Sequence, residues 1–238
     1  MVKLWLVEPI MKVQFPSLSP MNIYNTKYEL VNTAGQITAV VFGELRRNRY
    51  VAISNYLMDL DNKIEQVVFI EKNRIQTMGN ELCINGSLAG AYLLNNSMLE
   101  ISGLNEQTKF DKTKEFISSK FPLNLVVSKK DNLILLQGIV YLITNDETKI
   151  NKLFLKRLAK KYNVPASGII KFKSNKITPI VYVTATDSLV YENACGSGSL
   201  AYSIYSSLTN IIQPSGQIIT IKMNSKSFTI KVPVKIVK

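Results

Sequence analysis

The chain has no histidine and only two cysteines among its 238 residues. The missing imidazole excludes Ser-His and Cys-His nucleophile pairs and every histidine-ligated metal site. Two cysteines are too few for a structural zinc site, and they lack the Cys-X-X-Cys spacing usual for a redox pair. No apolar run approaches the roughly 20 residues that span a bilayer. The opening stretch, Met1 to Pro9, is too short and too soon interrupted for a signal peptide, so a cytoplasmic protein with free thiols is expected. The chemistry left to the chain uses thiols, carboxylates, amides and backbone, with no metal and no cofactor expected.

What is abundant is positive charge: 29 Lys and Arg against 17 Asp and Glu, a net +12. The lysines are spread along the chain, and the densest cluster is only Arg46-Arg47-Asn48-Arg49. No aromatic-rich basic motif accompanies it. The charge therefore reads as a solvated surface, and neither nucleic acid nor membrane is expected as a partner. Length and the 46% apolar fraction allow one large domain or two small ones with ample core.

Both cysteines sit in one kind of setting. Tyr191-Glu192-Asn193-Ala194-Cys195-Gly196-Ser197-Gly198-Ser199-Leu200-Ala201 runs into an apolar pattern at helical spacing. Gly79-Asn80-Glu81-Leu82-Cys83-Ile84-Asn85-Gly86-Ser87-Leu88-Ala89 repeats the device 112 positions earlier. Each cysteine stands at a loop-to-helix junction, where free N–H groups and the positive end of the helix dipole converge. A thiol there is expected to have a lowered pKa. Two matching motifs predict two halves that each bring one thiol to a shared site.

The rest of the pattern agrees with a repeated plan. In the first half, residues 1–31 read as short strands and turns, 32–36 as a loop and 37–45 as a strand. A helix follows over 50–60, a buried strand over 65–70, the Cys83 loop with a helix to about 94, and strands near 99–101 and 116. The second half offers strands at 123–127 and 133–143, a basic amphipathic helix over 149–162, and strands at 169–172 and 178–183. The Cys195 loop and helix come next, then a closing hairpin of 217–223 and 228–237 around Asn224-Ser225. The fold expected is α+β: two pseudo-symmetric lobes, 1–118 and 119–238, each a mixed sheet around a helix, with the active site in the cleft between.

In such a cleft, N–H groups at both helix starts would hold the carboxylate of an amino acid. Its α-carbon would lie between Cys83 and Cys195. A thiolate on one face takes the α-proton, and a thiol on the other returns one. Small residues after each cysteine let backbone approach the ligand. Against this stand two inert buried cysteines, and a non-catalytic amino-acid-binding protein on the same scaffold.

At these residues the chain resembles the diaminopimelate epimerase family, cofactor-independent racemases with two catalytic cysteines. The closer likeness is to the histidine racemases of staphylopine-type opine-metallophore biosynthesis, which carry Gly-Asn-Glu-Phe-Cys-Gly-Asn-Ala and Trp-Glu-Asn-Ser-Cys-Gly-Ser-Gly-Thr. The likeness extends to Asn32-Thr33-Ala34-Gly35-Gln36, to the helix from Tyr50, and to Glu65-Gln66-Val67-Val68-Phe69-Ile70-Glu71. The resemblance implies the diaminopimelate epimerase-like fold and Cys83 and Cys195 as acid/base thiols. It implies Asn85, Gly86, Gly196, Ser197 and Gly198 as the carboxylate cradle, and Glu192 for the substrate ammonium. Asn32, Glu65 and Asn193 would face the substrate side chain. Two departures bear on the pocket: Ile84 stands where the family has glycine, and Gln36 where it has asparagine. The implied reaction is PLP-independent racemisation of an amino acid, histidine first, with diaminopimelate or another amino acid as alternatives. Diaminopimelate is less favoured because Asn193 holds the place of an arginine that would grip its second head. A homodimer is left open.

Overall fold

A computed structural model describes residues 27–104 and 106–237. The strands and turns expected within 1–26 lie outside the described residues. The first half comprises β1 (Tyr28–Thr33), β2 (Gln36–Phe42), α1 (Tyr50–Leu60), β3 (Ile64–Glu71), β4 (Arg74–Thr77), α2 (Ile84–Leu93), β5 (Met98–Ile101), β6 (Thr108–Lys112) and β7 (Phe116–Pro122). Next come β8 (Val126–Lys130), β9 (Leu133–Leu136), β10 (Ile139–Ile143), α3 (Lys152–Tyr162), β11 (Ala166–Lys173) and β12 (Lys176–Val183). The chain ends with β13 (Ser188–Tyr191), α4 (Gly196–Ser206), β14 (Asn210–Ile212), β15 (Ile218–Met223) and β16 (Ser227–Val237).

One pairing scheme occurs twice. β2 and β3 are parallel with α1 as crossover, β3 and β4 antiparallel, and β4 and β5 parallel with α2 as crossover. Likewise β10 and β11 are parallel across α3, β11 and β12 antiparallel, and β12 and β14 parallel across α4. β16 joins the two sets, pairing β15 and β7 and, further along, β1. The first-half strands thereby close into a ring, β1 through β7 and back through β16.

Strands buried on both faces read as apolar runs without strict alternation. In β2 and β3, Ala39, Val41, Val67 and Phe69 pack beneath Tyr50, Ile53 and Leu57 of α1. Their neighbours Val40, Val68 and Ile70 turn to the core that holds Ile84 and Leu88 of α2. β10 splits the same way, Val140 and Leu142 towards α3, Ile139 and Tyr141 towards the core of α4. α2 is buried from Ile84 to Ala91 and α4 from Gly196 to Ser203, as helices apolar or small-residued all round must be.

Three expectations are corrected. The 32–36 loop is a two-residue turn, because Ala34 and Gly35 both take positive φ and let Thr33 pair Gln36 directly. The single strand over 133–143 is a hairpin broken at Gln137-Gly138, Gly138 having φ +81. The strand expected over 123–127 opens as a 3₁₀ turn, Leu123–Leu125, before β8, and β4, β6, β13 and β14 are too short to be legible by pattern. The closing hairpin forms as expected, with Asn224 Oδ1 accepting from the Lys226 and Ser227 N–H groups.

Candidate active site

Cys83 is the N-cap of α2 and Cys195 the N-cap of α4, both in extended backbone. Each sulfur accepts a hydrogen bond from the third residue on: Gly86 N–H at 3.3 Å and Gly198 N–H at 3.2 Å. A side-chain acceptor at this place satisfies an orphan donor of the first turn. The serine of each motif's Ser-Leu-Ala donates back to the cysteine carbonyl, Ser87 at 2.8 Å and Ser199 at 2.6 Å.

Both cysteines line one cavity of about 30 Å³. Gln36, Ile84, Asn85, Glu192, Gly196 and Ser197 are on its wall, as are Glu81, Gln66 and Tyr141. A larger depression, about 580 Å³ and bounded by Arg47, Arg74 and Glu100, holds neither cysteine. Among the described residues, no group of three or more Cys, Asp or Glu could hold a metal.

Other sequence-predicted residues lie elsewhere. Glu65 accepts from the Asn193 backbone N–H at 2.7 Å and from its Nδ2 at 2.8 Å, so these two satisfy each other outside the cavity wall. Asn32 Oδ1 accepts from Gly35 N–H and serves the β1–β2 turn. Gly86 and Gly198 supply N–H groups to the sulfurs rather than to the cavity. A Cβ on Gly86 would meet Val68 Cγ1 at 2.7 Å, and one on Gly198 would meet Ile170 Cδ1 at 2.7 Å.

Four buried oxygens on the cavity wall have no hydrogen-bond partner: Gln36 Oε1, Glu81 Oε1, Asn85 Oδ1 and Glu192 Oε2. All are acceptors. Buried acceptors without donors are costly, so this wall suits a ligand rich in N–H groups. Glu192 Oε1 takes a long bond from Gln36 Nε2 at 3.4 Å, and the carboxyl also meets the Cys195 thiol. Burial, with the Glu65 charge nearby, raises the Glu192 pKa to about 7. Burial likewise raises Glu81, whose Oε2 accepts from Gly79 N–H at 2.9 Å.

The lowered thiol pKa expected at a helix start is not found. Burial pushes both thiols up, and the Glu192 carboxylate pushes each further. One helix N–H per sulfur does not offset desolvation beside a negative charge.

These observations meet an independent one. The family model "Histidine racemase CntK N-terminal domain" matches residues 123–238. A histidine racemase from Fusobacterium nucleatum is 28% identical over 87% of this chain and 93% of its own length. One from Staphylococcus aureus is 20% identical over 84% and 89%. These relatives support an amino-acid racemase. Solved structures share this chain's fold of mixed sheet and barrel-like strands. A predicted epimerase from Pseudomonas aeruginosa superposes with TM-score 0.59 at 10% identity, covering 90% of this chain and 98% of that one. A phenazine biosynthesis PhzF-family protein from Enterococcus faecalis gives 0.55 at 16%, covering 89% and 96%.

Three residues of this candidate site escaped sequence reasoning. Tyr141 lies inside an apolar run and reads there as core. Gln213, fully buried, accepts the Cys195 N–H at 2.9 Å and donates to Ser199 Oγ, but stands 18 positions from the thiol with no motif around it. Glu81 had a signal, lying two residues before Cys83 in the motif itself.

Proposed function

We propose that this racemase inverts the α-carbon of histidine by a two-base mechanism, Cys83 and Cys195 serving as thiolate and thiol in turn. The observation that carries the reading is one cavity walled by both cysteines, each at the start of its own helix. The thiolate on one face removes the α-proton, the thiol on the other delivers one, and the two sulfurs exchange protonation states. No cofactor enters this step. Backbone N–H groups around Asn85, Gly196 and Ser197 stabilise the carboxylate as negative charge spreads into it.

Glu192 receives the substrate ammonium. Burial is the main cause that holds both thiols up. The ammonium offsets the further rise that the Glu192 charge adds, which favours the thiolate with substrate in place. Glu81 and Gln36 offer acceptors to a donor-bearing side chain such as imidazole. The curated relatives named as histidine racemases support that choice. A cavity of about 30 Å³ has the volume of roughly one water. We therefore infer that two lobes, 1–118 and 119–238, part to admit the amino acid. Their dividing point falls within β7, where β16 crosses between them. A cytoplasmic, metallophore-forming role, as a monomer or homodimer, accompanies this reading without entering the chemistry.

Incubation with L-histidine in deuterated water tests the proposal. The α-proton resonance should disappear as D-histidine accumulates. Exchange with another amino acid but not histidine would transfer the mechanism to that substrate. No exchange with any amino acid would overturn it.

A further inference from the structure

The two thiols are not equally served. Among the described residues Cys83 Sγ has the Gly86 N–H as its hydrogen-bond partner. Cys195 Sγ has the Gly198 N–H, the Tyr141 hydroxyl at 3.3 Å and, as a thiol, the Glu192 carboxyl. Tyr141 Oη in turn lies 2.8 Å from Ser197 Oγ, which is itself 3.6 Å from the sulfur. Tyr141 and Ser197 are both buried.

Hairpin register identifies the counterpart of Tyr141 in the first half. Thr33 and Gln36 close one turn, Leu136 and Ile139 the other, so Thr38 corresponds to Tyr141. Thr38 is fully buried and its hydroxyl has no partner. On the next strand Tyr141 is opposite Gly168, and Thr38 opposite Gln66. A Cβ at Gly168 would sit 2.4 Å from the Tyr141 ring, so the glycine is what admits the phenol. The second half has been built around a hydroxyl aimed at its thiol.

Building on the two-thiol reading, we propose that Tyr141, backed by Ser197, is the positioning residue that holds the Cys195 sulfur in both of its protonation states. With a thiolate, Ser197 O–H donates to Tyr141 Oη and Tyr141 O–H donates to the sulfur. With a thiol, S–H donates to Tyr141 Oη and Tyr141 O–H donates to Ser197 Oγ. Each state keeps the Tyr141 hydroxyl hydrogen-bonded to both neighbours, and no proton is gained or lost beyond the one Cys195 exchanges with the α-carbon. Cys83 works without this support.

The test is Tyr141→Phe, which removes one oxygen. Alkylation of the folded protein by iodoacetamide at pH 8, followed peptide by peptide, should slow about tenfold at Cys195 and stay unchanged at Cys83. The kcat should fall about tenfold with both enantiomers while KM stays within about twofold. Because the enantiomers are equal in free energy, kcat/KM must fall equally in both directions. The α-deuterium isotope effect should nevertheless grow only for the enantiomer that Cys195 deprotonates. Ser197→Ala should slow alkylation of Cys195 in the same sense and less, and it replaces the first variant if that one fails to fold. Unchanged Cys195 alkylation, or an equal change at both cysteines, would overturn the proposal. Alkylation needs no substrate, so it decides the role of Tyr141 even if no amino acid is racemised.

Discussion

The two halves share a pairing scheme and a cysteine device, and differ in how they fill the space around it. The first half closes its strands into a ring through β16, while the second ends at β8, which pairs only β9 among the described residues. After the first cysteine comes Ile84, after the second Gly196, and these two face one another: a Cβ on Gly196 would lie 2.7 Å from Ile84 Cγ2. On the strands, Thr38 with Gln66 in one half answers Tyr141 with Gly168 in the other. In each exchange a large residue on one side meets a small one on its counterpart. Interiors are packed to crystal-like density, so repeated halves that meet at one site cannot both carry the bulky choice. Ile84 therefore occupies, on the cavity wall, the space that Gly196 leaves open.

If the halves contribute one base each, neither can stand in for the other. Cys83→Ser and Cys195→Ser should each lower racemisation by about 10²–10⁴-fold, the range for losing one general acid/base group. The check is the rate of D-histidine appearance from L-histidine. A single variant with near-normal racemisation would break the symmetry on which the mechanism rests.

The sequence made the cysteine motifs, the four helices and the closing hairpin legible, because helix caps, small residues and apolar periodicity are local. It misplaced Glu65 and Asn193, whose mutual hydrogen bonds span 128 positions and are set by how the halves dock. It passed over Tyr141 for a related reason: an apolar run says that a residue is buried, and only the opposite strand says what its hydroxyl meets. The thiol pKa direction was misjudged because helix ends are visible in a sequence and desolvation is not.

The Ile84–Gly196 pair offers a structural break in the comparison. Gly196→Ala should destabilise the protein by about 1–3 kcal/mol, the usual cost of overpacking, since both Ile84 and Asn85 Oδ1 crowd the new methyl. Ile84→Ala/Gly196→Ala should lose less than the sum of its single variants in denaturant melts. Additivity would mean that the two residues do not compete for one space.

Glu192 has no carboxylate counterpart at its place before Cys83, where Asn80 stands. Its native pKa of about 7 lies above the ordinary carboxylate value of 4.5, so the native state holds its proton more tightly than the unfolded chain. Its contribution to stability is complete below about pH 4.5 and is lost as pH rises through about 7. Glu192→Gln stays neutral, and should be more stable than the parent by about 1–3 kcal/mol at pH 8, with the gain shrinking below pH 5. Melting temperatures across that range check it. The same variant should lose racemase activity, so stability and function move in opposite senses at one residue.

The smallest contrast lies in the outer helices. Asn151 caps α3, its Oδ1 accepting from Phe154 N–H at 2.8 Å from extended backbone. Before α1 a 3₁₀ turn, Arg47–Arg49, runs straight into the helix, and Arg49 in αR geometry makes no capping bond. Asn151→Ala should therefore cost about 1 kcal/mol. Arg49→Ala should stay within about 0.5 kcal/mol of the parent, as for a surface position with no such bond to lose. Equal losses in denaturant melts would mean that the entry to α1 is held by Arg49 after all, and that the two crossovers are more alike than their caps.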